Sequence, residues 1–231
     1  RTVLQYLLML LDVEEKNALD ISNAIWDWHD ADNIPVGGEG ESEVAYYTKK
    51  ALEKAGRRGL VTVGNKLYPR NTPFQSVDEL LQIPGMTAKL FYGYDPEKDV
   101  SPDFFPIRST HDDRRRRPAL RDLLTVKTSN FNVNTAGFEC LAAVCGAAMG
   151  DVDSGRSLAK KVIEYRQGSG SKIDNDRAFK MIPHLTLVDG FTPSILSRVS
   201  QVVPLTTQSD FFTIYSQARV GEASERILTS S

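Results

Sequence analysis

The spacing of apolar residues changes once along this chain, near residue 206, and that change constrains the fold more than any other feature. Phe212, Ile214, Ser216, Ala218 and Val220 alternate with their neighbours, and Ser224–Leu228 can pair back across Gly221-Glu222. That period of two predicts a β-hairpin. Upstream the period is three to four: Ala18, Ile21, Ile25 and Trp28 fall on one helical face. A hairpin alone is marginal in water. It is therefore expected to belong to a larger sheet whose other strands lie outside these 231 residues. The expected class is α+β and predominantly α.

Punctuation divides the helical part. Helices are expected over 2–11, 14–28 and 42–55, the last closed by Gly56. Leu60–Val63 reads as a short strand or loop. Ser76 and Glu79 form a capping box opening a short helix over Val77–Gln82. Pro84-Gly85 then turns the chain, and Thr87 caps the next short helix. Residues 93–118 carry Pro96, Pro102, Pro106 and Pro118, with His111 and the run Arg114–Arg117 close behind two aspartates. This reads as a long exposed loop. Leu124–Lys127 is a candidate strand. Further helices are expected from Thr135, as cap, to about Val144, then over 155–167 and 176–182, with a turn at Gly168-Ser169-Gly170. Thr192-Pro193 opens the last helix, to Val202. The clusters 76–92 and 134–148 look alike in outline, a weak internal repeat. The expected organisation is a helical subdomain over 1–92, a loop over 93–127, a second helical subdomain over 128–205 and a hairpin over 206–231.

Charge and composition exclude several function classes. Lys and Arg total 28 against 30 Asp and Glu, net −2, so no global basic field attracts nucleic acid. The apolar run Tyr6–Leu11 is far shorter than the ~18 residues a membrane span needs. Cys140 and Cys145 lie five apart, on different faces of an unbroken helix. A disulfide between them requires the helix to end there; otherwise they are two small buried hydrophobes. No Gly-x-Ser-x-Gly motif, metal-spaced histidine set or phosphate loop is present, so an enzyme is not expected.

The most chemical segment is acidic. Asp30, Asp32, Glu39, Glu41 and Glu43 place five carboxylates within fourteen residues. Clusters of hard oxygens suit Ca²⁺. Ile34 and Pro35 break the EF-hand template, so any calcium loop here is of another kind. The competing reading is capping. Glu41 and Glu43 favour a helix N-terminus, Asp30 and Asp32 close the helix before it, and Asp151/Asp153 and Asp174/Asp176 precede later helices.

Two segments resemble parts of a helix-hairpin-helix, a nucleic-acid-binding module. These are Leu80-x-x-Ile83-Pro84-Gly85-Met86 and Asn132-Val133-Asn134-Thr135-Ala136. The second glycine of the turn is missing, because position 87 is Thr, and Lys89 is the one cation within reach of it. Nucleic-acid binding is the alternative function.

Three segments in order resemble the type II secretion protein K family, the large minor pseudopilin. The first is Ile25-Trp26-Asp27-Trp28-His29-Asp30-Ala31-Asp32, followed by a Gly/Glu-rich stretch and Glu43-x-x-Tyr46-Tyr47. The second is Arg70-Asn71-Thr72-Pro73-Phe74-Gln75-Ser76, with Glu79-Leu80 and Pro84-Gly85. The third is Asn132–Ala136 with Leu141-Ala142-Ala143, and the tail from Ser209 to Gly221 matches the strand after the helical region. The resemblance implies a helical domain, SAM-like or helix-hairpin-helix-like, inserted in a ferredoxin-like pseudopilin core that owns the terminal hairpin. It implies a tip component of the pseudopilus at the periplasmic face of the inner membrane. It also implies partnership with other minor pseudopilins, no nucleic acid, and an N-terminal anchor helix absent from these residues. Structural Ca²⁺ is expected, with Asp30, Asp32, Glu41 and Glu43 as candidate ligands. Trp28, Tyr46, Tyr47 and Phe74 are expected in the core.

Overall fold

The computed structural model describes residues 1–38, 40–55, 69–93, 118–168, 177–211, 213–220 and 223–230. Several expectations fall outside the described residues: Glu39, the Gly56 cap, the Leu60–Val63 strand, the His111 and Arg114–Arg117 loop, the Ser169-Gly170 turn, Asp174/Asp176 and the Gly221-Glu222 turn.

Helices dominate what is described. α1 (Thr2–Leu10) and α2 (Glu15–His29) pack on one another and are joined by Leu11–Glu14, and α3 (Glu43–Ala55) follows the acidic loop. A 3₁₀ helix over Val77–Gln82 carries the expected capping box: the Ser76 hydroxyl accepts from the Asp78 N–H at 3.2 Å, and Glu79 accepts from the Ser76 N–H at 3.0 Å. α4 (Ala88–Tyr92) is capped by Thr87 as expected. α5 (Leu120–Leu123) is one turn within the stretch expected to loop, held by the fully buried Leu120. Leu124–Lys127 forms no strand.

α6 (Phe138–Met149) starts later than expected and is capped by Gly137, with no side-chain bond; Thr135 lies in the turn before it. The helix runs unbroken through Cys140 and Cys145, so both thiols are free. Burial pushes them up to about 11 and about 12, which keeps them protonated and inert. α7 (Val152–Gln167) opens on Asp151, whose carboxylate caps the Ser154 N–H at 2.7 Å. α6 and α7 cross closely because both are glycine at the contact. A Cβ on Gly155 would lie 2.6 Å from the Gly146 Cα and 2.5 Å from the Ala142 carbonyl. The short helix expected over 176–182 is instead a 3₁₀ helix over Ile182–Leu187, displaced because Pro183 fits the first turn. α8 (Pro193–Val202) is capped by Thr192.

Two small sheets complete the described chain. β1 (Phe131–Asn132) pairs in parallel with β2 (Leu205–Thr206), tying the start and end of the second helical cluster. β3 (Thr213–Val220) and β4 (Ala223–Ser230) form the expected antiparallel hairpin, in register from Thr213↔Ser230 to Val220↔Ala223. The class is thus α+β and predominantly α.

The apolar residues form two clusters. One gathers Leu8, Ile21, Trp28, Tyr47, Leu80 and Phe91, and the other Leu141, Val162, Phe179, Leu185, Phe191 and Val199. Trp28 and Tyr47 are core residues, as expected, and Tyr46 and Phe74 are partly buried beside them. α1 packs on both α2 and α6, and Ala143 of α6 belongs to the first cluster, so the two clusters share a wall.

Each cluster contains the same device. The segment 77–92 and the segment 182–197 both run 3₁₀ helix, glycine turn, capped α-helix. Leu80 matches Leu185, Ile83 matches Val188, Gly85 matches Gly190 and Thr87 matches Thr192, at constant offset. The first two pairs are buried, and the glycines hold φ +91° and +82°, the left-handed region where a side chain is disfavoured. The internal repeat is real, but its second member is 182–197. The expected partner, 134–148, is a turn and a long α-helix.

Candidate functional site

The C-terminal turn of α2 sets up the site. Asp27 lies on the buried stripe with Ala24 and Trp28 and is fully enclosed. A buried carboxylate requires donors, and Asp27 has them. The Tyr47 hydroxyl donates to Oδ2 at 2.5 Å, and the Val36 N–H donates at 3.0 Å to Oδ2 and 3.2 Å to Oδ1. Burial nonetheless raises the Asp27 carboxyl above its ordinary range; the two hydrogen bonds oppose this, and Asp30 and Asp32 add to it by repulsion. The Tyr47 hydroxyl is held well above its usual value, by burial and then by Asp27.

Glu43 is the contrast. It is the first residue of α3 and is 0% exposed, yet among the described residues neither carboxylate oxygen forms a well-aligned hydrogen bond, the Asn71 amide being the neighbouring donor. Burial pushes its carboxyl up to about 7; the neighbouring Asn71 amide opposes that, and Asp27, Asp30 and Asp32 reinforce it. Asp30 Oδ1 and Asn71 Oδ1 are likewise buried without a partner. Asn71 sits at φ +51°, a conformation asparagine tolerates, and its amide nitrogen donates to the Asp32 carbonyl.

One oxygen each from Asp27, Asp30 and Glu43 lie within 4.8 Å of one another. Ca²⁺–oxygen bonds of about 2.3–2.6 Å let ligands up to about 5 Å apart share one ion. Three acidic groups this close repel, and a buried carboxylate with no donor is expensive. A hard cation would satisfy the orphaned oxygens and neutralise the charge, so the donor set fits a divalent ion such as Ca²⁺.

The structure brings together two of the four candidate ligands, Asp30 and Glu43. Asp32 turns its side chain to accept the Ile34 N–H at 2.8 Å and offers Asn71 its carbonyl instead. Glu41 stands outside the group. Sequence reasoning missed Asp27 and Asn71. The signal for Asp27 was present: an acid at a core position of an amphipathic helix. Nothing local marked Asn71, which arrives from a segment beyond α3.

The helix-hairpin-helix turns sit elsewhere. The glycine turn at Gly190, which matches the Gly85 turn of the Leu80–Met86 segment, carries Asp189, which faces Lys161 at 2.8 Å. An acid at the turn opposes phosphate approach.

Residues 1–97 match the family model described as type II secretion system (T2SS), protein K. Over those residues the chain is similar to the type II secretion system protein K family. The match encloses Asp27, Asp30, Glu43, Asn71 and the first of the two repeats. Protein K is a structural component of the envelope machinery for protein transport, and it works in assembly with other secretion-system proteins. Comparison with curated proteins and with solved structures gave no match. Among the described residues no helix is long and apolar enough to cross a membrane.

Proposed function

We propose that this chain is the helical part of a minor pseudopilin that sits at the tip of a type II secretion pseudopilus and acts by protein–protein assembly. The family match over 1–97 carries the reading. The antiparallel hairpin β3–β4 supports it, because two strands alone need a larger sheet; a ferredoxin-like pseudopilin core supplies one. In this reading the helical subdomains are 1–92 and 128–205, joined by 93–127, and 206–231 returns to the core. The site of action is the periplasmic face of the inner membrane, and the partners are other minor pseudopilins. Ca²⁺ serves as structural cofactor in the acidic loop, supported by the orphaned Glu43 oxygens.

Mixing this protein with the periplasmic domains of the other minor pseudopilins of the same system tests the assembly role. A stable complex in size-exclusion chromatography is expected, with loss of secretion on gene deletion. A protein that stays alone at tens of micromolar and is dispensable for secretion would overturn the role. Binding to DNA that weakens steeply with salt would instead favour the nucleic-acid alternative. For the cofactor, thermal unfolding in EDTA and in millimolar Ca²⁺ is decisive. A ligand bound only to the native state at a hundredfold excess over Kd stabilises by about 2.7 kcal/mol, and Glu43→Ala should remove that gain.

A further inference from the structure

The two tryptophans of the chain both lie on α2 and differ in surroundings. Trp28 is buried, whereas Trp26 is 48% exposed. The Trp26 ring lies 6.4 Å from the His29 ring, and the exposed His29 stacks on Phe74 at 6.3 Å. Three rings thus form a continuous row from α2 to the segment before the first 3₁₀ helix. Apolar residues exposed singly are ordinary, but a contiguous row is the kind of feature that marks a binding surface. Elsewhere the chain supplies cations to its own rings: Lys50 stands over Tyr46 at 4.7 Å and Arg121 over Tyr92 at 5.4 Å. Among the described residues no cation stands over Trp26 or Phe74, although indole attracts a cation more strongly than the other rings do.

Asp32 sets the charge at the edge of this row. It follows His29 by three residues, a stretch that spans at most about 11 Å, close to the screening length of about 10 Å in dilute salt. Its carbonyl is tied to Asn71, three residues before Phe74. Its carboxylate accepts the N–H of Ile34, which is 71% exposed. The cations Arg70 and Lys50 are engaged by Glu79 and Asp20. Asp32 also stands outside the group of Asp27, Asp30 and Glu43, so its charge remains available whether or not that group holds an ion. We propose that the row of Trp26, His29 and Phe74, with Asp32 and Ile34 at its edge, docks an arginine-bearing segment of a partner protein. The guanidinium stacks on the Trp26 ring and faces the Asp32 carboxylate, and an aliphatic neighbour packs on Ile34. Arginine fits better than lysine, because its plane stacks on aromatic faces and is more weakly hydrated.

Titration of the 231-residue chain with a synthetic peptide of alternating Arg and Leu tests this, read by the indole N–H signals in heteronuclear NMR and by calorimetry. The Trp26 signal should shift saturably and the buried Trp28 signal should stay in place. The same peptide with Glu in place of Arg should move neither, and added salt should weaken binding, because the Asp32 carboxylate is exposed. Trp26→Ala should weaken the Kd about tenfold and Trp26→Phe by less. Asp32→Asn keeps an acceptor for the Ile34 N–H, removes the charge and should weaken the Kd about threefold. A Trp26 signal that the Arg peptide leaves unmoved, a Trp26→Ala Kd within twofold of the original, or equal binding of the Glu peptide would overturn the proposal. So would self-association of the chain that Trp26→Ala abolishes, which would give the row to a second copy.

Discussion

The two 3₁₀–turn–helix repeats share a backbone and differ in how they are fastened. In the second, Phe179 is buried and stacks on Tyr165 at 5.1 Å with the rings 8° apart, and Asn134 satisfies its peptide groups. In the first, Phe74 occupies the matching position, but it is only partly buried and leans on the exposed His29 ring at 6.3 Å. In the acidic group before it, Glu43 Oε1 and Oε2 and Asp30 Oδ1 are buried without a hydrogen-bond partner. One repeat is complete in its own side chains. The other holds buried charge that only an added cation or a proton can neutralise. A shared backbone motif therefore does not imply shared energetics: the buried polar groups decide whether the fold depends on its medium.

The largest expected effect lies in the self-sufficient repeat. Phe179→Ala removes a fully packed ring and should lower stability by about 3–5 kcal/mol in urea denaturation. Phe74→Ala, at the matching position, should lose about 1–2 kcal/mol. Equal losses would break the contrast. Asn134→Ala strands the Phe179 N–H and two carbonyls and should lose about 2–3 kcal/mol. That loss should be the same in EDTA and in Ca²⁺; a calcium-dependent loss would mean the two repeats are coupled.

Next in size is the response to pH. The folded Glu43 carboxyl titrates near 7, above its ordinary value, and Asp27 and Asp30 are raised as well. Groups raised in the folded state bind protons more tightly there than when unfolded. Their stabilisation is complete at pH below the unfolded values and is lost as pH rises through the folded ones. In EDTA the melting temperature should therefore fall between about pH 5 and pH 7.5. Glu43→Gln should flatten much of that slope and, at pH 7.5 in EDTA, should melt higher than the unaltered protein. In Ca²⁺ the order should reverse, because the variant has lost a ligand. A slope that Glu43→Gln leaves unchanged would place the pH dependence elsewhere.

The contrast also explains what was legible in the sequence. Helix starts that rest on one side chain were readable: the Ser76–Glu79 box and the caps at Thr87 and Thr192 all form where expected. So was the hairpin, because a period of two needs no tertiary context. The cap at Thr135 was misplaced because α6 begins on Gly137, where packing rather than a hydroxyl sets the start. The repeat was paired with the wrong segment because its signature is not helix length. It is the spacing of two buried aliphatics, a left-handed glycine and a capping threonine. Asp30 and Glu43 were legible as acids near one another, whereas Asn71 meets them only through long-range folding.

The smallest effect offers the closest comparison of the two repeats. Thr87 accepts the Leu90 N–H at 3.1 Å and Thr192 accepts the Ile195 N–H at 3.3 Å, so each threonine satisfies one otherwise open donor. Alanine at either position should lose about 1 kcal/mol by chemical denaturation. The two losses should nevertheless differ. Pro193 occupies the first helical position of α8 and fixes φ there without any help from Thr192, and α8 has ten residues to propagate from. α4 has five residues and Ala88 in place of the proline, so its geometry leans harder on the cap. Thr87→Ala should therefore lose more than Thr192→Ala, and Ca²⁺ should narrow the gap if the ion anchors the first repeat. A gap that Ca²⁺ leaves untouched would show that the first repeat does not depend on the ion.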